Sequence, residues 1–353
     1  MIETALGAIA PAALGVTSMH DHLLSDATLL HRAAAGALER VTAQSAATIG
    51  TAALATVDNL RLDDEALAVR ELAAAGSEGL STVVDLTSWS TGHLPRLPAI
   101  SRATGVQIVA GVGVYLDRPH PAWVGELDDA ELTERFRAAL QDAIPGTSYR
   151  AGILGVIGTG APATASEGRV LDAVARAVAL TGAPATVRLD PAARSDGAAL
   201  LARLADGGCP PDRVILPNAD ELLELDDAGR PIVAGLAALA RAGATLELCF
   251  GNVFRMRAGF PHRSDEQRLD ALVALVDQGL ADRIVLGQST WMKIQLAAYG
   301  GAGYGHLLRR VVPALRARGV AEAELDRMLT GNPRRLLQRP HDHDLPPRPA
   351  SSR

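Results

Sequence analysis

Apolar positions along this chain follow two alternating rhythms. Short β-branched or leucine-rich runs fall at 16–19, 82–86, 107–112, 153–157, 185–189, 214–216, 244–248 and 283–286. Runs this short and continuously apolar are those of strands buried on both faces of a parallel sheet. Between them, stretches at 63–75, 166–180, 264–278 and 304–318 carry apolar residues three and four apart, which predicts helices. In ATGVQIVAGVGV, LTGAPATVRL and RAGATLELCF, Gly105, Gly182 and Gly243 stand where a helix ends and a strand begins, a position that favours positive φ. Ser264 followed by Gln267 predicts a capping box. Eight strands interleaved with helices predict an α/β fold, a (β/α)8 TIM barrel.

Composition narrows the picture. With 353 residues, 48% of them hydrophobic, the chain is long enough for one large barrel domain over 1–337. The remainder, 338–353, is Pro-rich and polar and reads as a disordered tail, its pair His341 and His343 included. A net charge of −6 without a basic run argues against nucleic acid or an anionic membrane as partner, and for a small-molecule substrate. Cys209 and Cys249 are too few and too distant for a zinc knuckle or a disulfide framework, which fits a reducing compartment. The N-terminus lacks a basic leader pattern, and no apolar run approaches the roughly 20 residues of a membrane span. The expectation is a cytoplasmic protein.

The segment GVTSMHDHLL places His20 and His22 two residues apart, on one face of the first strand. This pair, with STVVDLTSWSTGHLPRLPAISRATGVQIVAGVGVY, GILGVIGTGAPATASEGRVLDAVARAVALTGAP, RIVLGQSTWMK, YGGAGYGHLLRRVVPALRARGV and TGNPRRLL, resembles the phosphotriesterase-like family of the amidohydrolase superfamily over nearly all of 2–337. The resemblance implies a barrel with two divalent metals at its mouth, held by an HxH pair, a bridging Lys or Glu on the fourth strand, His on the fifth and sixth, and Asp on the eighth. It also implies that related proteins often dimerise, so a homodimer is an open expectation.

At those positions this chain carries His20 and His22, then Val156, Arg188, Asn218 and Ser289. Valine cannot coordinate, a guanidinium repels cations, and neutral Asn and Ser are weak ligands. Lys293, the sole lysine, lies beyond the eighth strand. The leading expectation is therefore an enzyme with a degenerate metal centre and no cofactor, catalysing elimination, isomerisation or cyclisation of a small anionic or carbonyl-bearing metabolite. In it His20 or His22 moves protons while Arg188, Asn218 and Ser289 hold developing negative charge. One alternative is a hydrolase of esters or lactones with a single divalent metal on His20 and His22, joined by Asp190 or Asp220; another is an inactive binding or scaffold protein. Arg188 reads either as an anion clamp or as a plug paired with Asp190 or Asp220. Trp89, His93, Tyr115, His120, Arg255, His262 and Trp291 are candidates for a substrate-lining loop layer. Asp21 reads as structural. Cys249 ends the seventh strand with no histidine near it in sequence, which makes it a weak nucleophile candidate.

Overall fold

The protein is described by a computed structural model over residues 1–89, 91–116, 120–251 and 263–339. Eight barrel strands follow one another: β1 (Thr17–Asp21), β2 (Thr82–Asp85), β3 (Gln107–Val112), β4 (Ile153–Gly158), β5 (Ala185–Arg188), β6 (Val214–Leu216), β7 (Thr245–Cys249) and β8 (Ile284–Gly287). They pair in chain order, each parallel to the next. The ring closes where β8 returns to β1: Gln288 and Ser289 N–H donate to the His20 carbonyl at 3.0 and 2.7 Å, and His22 N–H donates to the Thr290 carbonyl at 3.0 Å. The expected barrel is present, with strand limits within about two residues of those read from the sequence.

Helices α1 (Glu65–Ser77), α2 (Leu97–Thr104), α3 (Asp129–Gln141), α4 (Ala165–Thr181), α5 (Gly197–Asp206), α6 (Ala234–Arg241), α7 (Asp265–Val276) and α8 (Val312–Ala317) surround the strands. The Ser264–Gln267 capping box opens α7 with reciprocal bonds of 3.2 and 3.1 Å. The helix expected over 304–318 differs: a five-residue π-helical segment, Leu307–Val311, precedes α8.

Inside the barrel Met19, Val84, Val109, Ile153, Ile215 and Val285 form one buried cluster, closed by Ile2 and by Leu336 and Leu337 of the last helix. That plug shuts the end where the strands begin, so the mouth is the opposite end, where they finish. Past the last helix, the Arg339 guanidinium donates to the carbonyls of Leu140 and Ala151. His341 and His343 lie outside the described residues, as do Arg255 and His262. Among the described residues, no helix is long and apolar enough to cross a membrane.

Candidate functional site

Strand β7 reads Thr-Leu-Glu-Leu-Cys, and its leucines, Leu246 and Leu248, pack into the outer layer with the helices. Alternation therefore turns Glu247 and Cys249 into the barrel. There the His20 Nδ1–H donates to Glu247 Oε2 at 2.9 Å, and the Cys249 thiol donates to Glu247 Oε1 at 2.7 Å. Gly287 makes room for this contact, since a Cβ at that position would stand 2.2 Å from Glu247 Oε1 and 2.8 Å from His20 Cβ. Cys249 Sγ is itself 3.7 Å from His20 Nδ1, a histidine that the sequence does not place near it. Burial and the Glu247 charge push the thiol well above its usual range, so the sulfur is a donor to a carboxylate and a poor nucleophile.

His20 and His22 face each other through their other nitrogens, Nε2 to Nε2 at 3.3 Å, while His22 Nδ1 pairs with Thr87 Oγ1 at 3.1 Å. Burial alone would lower the His20 pKa, but Glu247 outweighs it and raises it; burial and the neighbouring His20 push His22 well below its ordinary value. Two imidazoles binding one tetrahedral zinc at about 2.0–2.1 Å have their nitrogens roughly 3.4 Å apart, so the separation of this pair fits a single divalent ion. Anchoring the distal nitrogens, here by Glu247 and Thr87, is how protein metal sites hold imidazole ligands in place. His20, Glu247 and Cys249 also bring three ligand-type atoms within 4.8 Å of one another. That second group is less suited to an ion, because both carboxylate oxygens already accept hydrogen bonds and the thiol would have to ionise in a buried setting.

Val156, Arg188, Asn218 and Ser289 occupy the last turns of their strands or the residues just after, at the same mouth as His20. Among the described residues, Asn218 (φ 51°) and Ser289 (φ 48°) are the non-glycine residues with positive φ. Arg188 ends β5 with its guanidinium 6.0 Å from the Tyr115 ring. It is ion-paired with Glu221, not with either aspartate expected from the strand faces. Asp190 instead caps the turn that follows it, accepting from Ala192 N–H at 2.8 Å. Asp220 accepts from Arg268 Nε at 2.7 Å and from Cys249 N–H at 3.1 Å, so Glu247 holds the place beside His20 that was expected of one of these aspartates. Asp21 accepts from Ser18 Oγ at 2.6 Å and Thr290 N–H at 3.2 Å.

The remaining aromatic candidates sit in walls. Trp89 stacks on Phe136 of α3 and meets Trp123 edge-on. Trp291 packs with Met292, Leu54 and Leu60, where the long segment after β1 covers the segment after β8. His93 precedes a short 3-10 turn, and His120 Nδ1 pairs with Ser166 Oγ at 3.1 Å.

The Phosphotriesterase family model matches residues 1–337. N-acetyltaurine hydrolase of Tetraodon nigroviridis is 31% identical over 352 residues, covering 95% of this chain and 97% of its own; its Homo sapiens counterpart is 28% identical over 347 residues, with the same coverage of each. Among solved structures, a resiniferatoxin-binding protein from Rhodobacter sphaeroides superposes with a TM-score of 0.89 at 29% identity, over 98% of this chain and 96% of the other. The phosphotriesterase homology protein of Escherichia coli, complexed with phosphate in its active site, gives a TM-score of 0.74 at 27% identity, over 92% and 99%. These names overturn the expectation of metal-independent elimination, isomerisation or cyclisation, for the relatives with a named reaction are hydrolases. It was drawn from missing ligands alone, whereas His20 and His22 retain an anchored, convergent pair. Fold, barrel mouth and full-length similarity agree, and the chain belongs to the phosphotriesterase family.

Proposed function

We propose that the protein is a hydrolase of an amide, ester or lactone carbonyl in a small molecule, working with one divalent ion held by His20 and His22. The observation that carries this reading is the 3.3 Å approach of the two Nε2 atoms with both Nδ1 atoms anchored. Relatives named as N-acetyltaurine hydrolases support the amide as the first bond to test. Such an ion supplies a Lewis acid and lowers the pKa of bound water. Glu247 fixes the His20 tautomer and ring plane, Thr87 does so for His22, and the Asp220–Arg268 pair holds the end of β7 in place through the Cys249 N–H. A second ion is not part of the proposal, because Val156 offers no donor and Arg188 is cationic. The reading also includes a cytoplasmic location and a small-molecule partner.

The test is metal-loaded turnover of N-acetyl amino acids, N-acetyltaurine and simple lactones, with and without a chelator. Hydrolysis that requires about one ion per chain and disappears in the His20→Ala variant supports the reading. Turnover unaffected by chelation, or absent from every acyl compound tried, defeats it.

A further inference from the structure

Arg188 is the charged group whose position in the mouth has no counterpart in the chemistry assigned to His20 and His22. Its backbone is fixed: the Arg188 carbonyl accepts from both Thr159 N–H at 3.0 Å and Thr159 Oγ1 at 3.2 Å. The Arg188 side chain is only 8% exposed, and its guanidinium lies 6.0 Å from the Tyr115 ring. A buried guanidinium requires an anion, and the anion paired with it here is Glu221. Glu221 lies in a four-residue 3-10 turn, Ala219–Leu222, reached through the left-handed Asn218. Its neighbour Asp220 is tied down by Arg268 and the Cys249 backbone, whereas the Glu221 side chain stays 13% exposed and extends toward Arg188.

We propose that the Glu221 carboxylate is a resident stand-in for an anionic group of the substrate, a carboxylate or sulfonate, which takes over Arg188 when it binds. A carboxylate or sulfonate presents the same paired oxygens to a guanidinium as Glu221 does. The exchange leaves Arg188 neutralised at every stage, and it moves Glu221 by rotation of its own side chain toward solvent. Burial favours the neutral form of Glu221 and the Arg188 charge opposes this, so it is Arg188 that holds the carboxylate charged inside the mouth. Selection follows from the same geometry. A neutral analogue must leave the Arg188–Glu221 pair in place and compete for a smaller space.

This inference rests on reading the mouth as a substrate site, and it is tested by binding so that its outcome is separable from hydrolysis. Calorimetric titration of the metal-loaded protein with propionate, ethanesulfonate and neutral propionamide gives the comparison. Either anion is expected to bind the parent protein and propionamide is not. Glu221→Gln, which removes the internal competitor but keeps its shape, should bind the anions about tenfold more tightly. Arg188→Met should lose anion binding, and the double variant Arg188→Met/Glu221→Leu, which strands no charge, should lose it too while remaining folded by circular dichroism. Unchanged or weaker anion binding in folded Glu221→Gln would overturn the proposal and make the pair a permanent plug. So would anion binding that survives in the double variant. Anion exchange without acyl hydrolysis would remove the hydrolase reading and leave this one standing.

Discussion

The Nε2 atoms of His20 and His22 stand 3.3 Å apart, each on a ring whose Nδ1 is held from behind, one by Glu247 and the other by Thr87. Lone pairs brought this close repel each other unless a proton or a cation lies between them, so the arrangement is most stable when something positive is shared. Metal analysis of protein grown with zinc or manganese should find about one ion per chain. His20→Ala or His22→Ala should reduce this to background. Chelation should lower the melting temperature of the parent protein, because an ion bound to the native state alone stabilises it by mass action. Two tightly held ions per chain would show that the mouth assembles a second ligand set.

Gly287 gives a sharper test of how Glu247 works. Any Cβ there collides with Glu247 Oε1 and His20 Cβ at 2.2 and 2.8 Å, with little scope for the buried carboxylate to retreat. Gly287→Ala should cost about 1–3 kcal/mol in stability, the usual range for overpacking. Because it displaces the carboxylate from His20, it should also weaken ion affinity. Glu247→Gln should weaken affinity by about 10- to 100-fold, as loss of an outer partner of a metal-ligating histidine commonly does. Competition against a chromogenic chelator measures both. Unchanged affinity in both variants would make Glu247 a packing residue.

The barrel was legible because parallel strands buried on both faces leave short β-branched runs, and because glycines such as Gly182 (φ 64°) mark the helix ends. The histidine pair was legible because its two members are two residues apart, His20 on β1 and His22 just past its end. Glu247 was not singled out, although a signal was present: a charge between Leu246 and Leu248 in an otherwise apolar strand. Its partner His20 is 227 residues away, a distance that no local pattern bridges. Glu221 was missed for a different reason. Counting two residues past Asn218 assumes that the strand continues, but Asn218 is left-handed and the chain enters a 3-10 turn. Asp220 then turns toward Arg268, and Glu221 reaches Arg188 instead.

Asp265 offers a pH test away from the histidine pair. Its carboxylate accepts from His306 Nε2 at 2.7 Å, Arg268 Nη1 at 2.8 Å and Gly251 N–H at 3.0 Å. Burial alone would raise its pKa, but the His306 bond and the Arg268 charge outweigh this and hold it below the usual carboxylate range. A depressed native pKa contributes stability that is fully present above the unfolded value, near 4, and is lost as pH falls through the native value. Asp265→Asn should therefore be less stable than the parent protein at pH 7, by about 1–3 kcal/mol. The gap should narrow steadily below about pH 4. A gap constant from pH 7 to 3 would mean that the charge of Asp265 contributes nothing.

Cys249 decides between two ways of attacking a carbonyl at this mouth. Its thiol is fully buried, donates to Glu247 and is pushed well above its ordinary pKa, so at neutral pH it holds its proton and is a weak nucleophile. Iodoacetamide should leave native Cys249 unmodified at pH 7.5 and label it only after denaturation, as read by peptide mass spectrometry. Cys249→Ala should retain acyl hydrolysis within about tenfold of the parent protein, the loss reflecting only one missing hydrogen bond to Glu247. Cys249→Ser, which keeps a donor at that position, should lie closer to the parent. If Cys249→Ala retains its ion but loses turnover by a thousandfold or more, and Cys249→Ser does the same, the sulfur forms a covalent intermediate. In that case the sulfur, not ion-bound water, attacks the carbonyl, and the single-ion hydrolase reading falls.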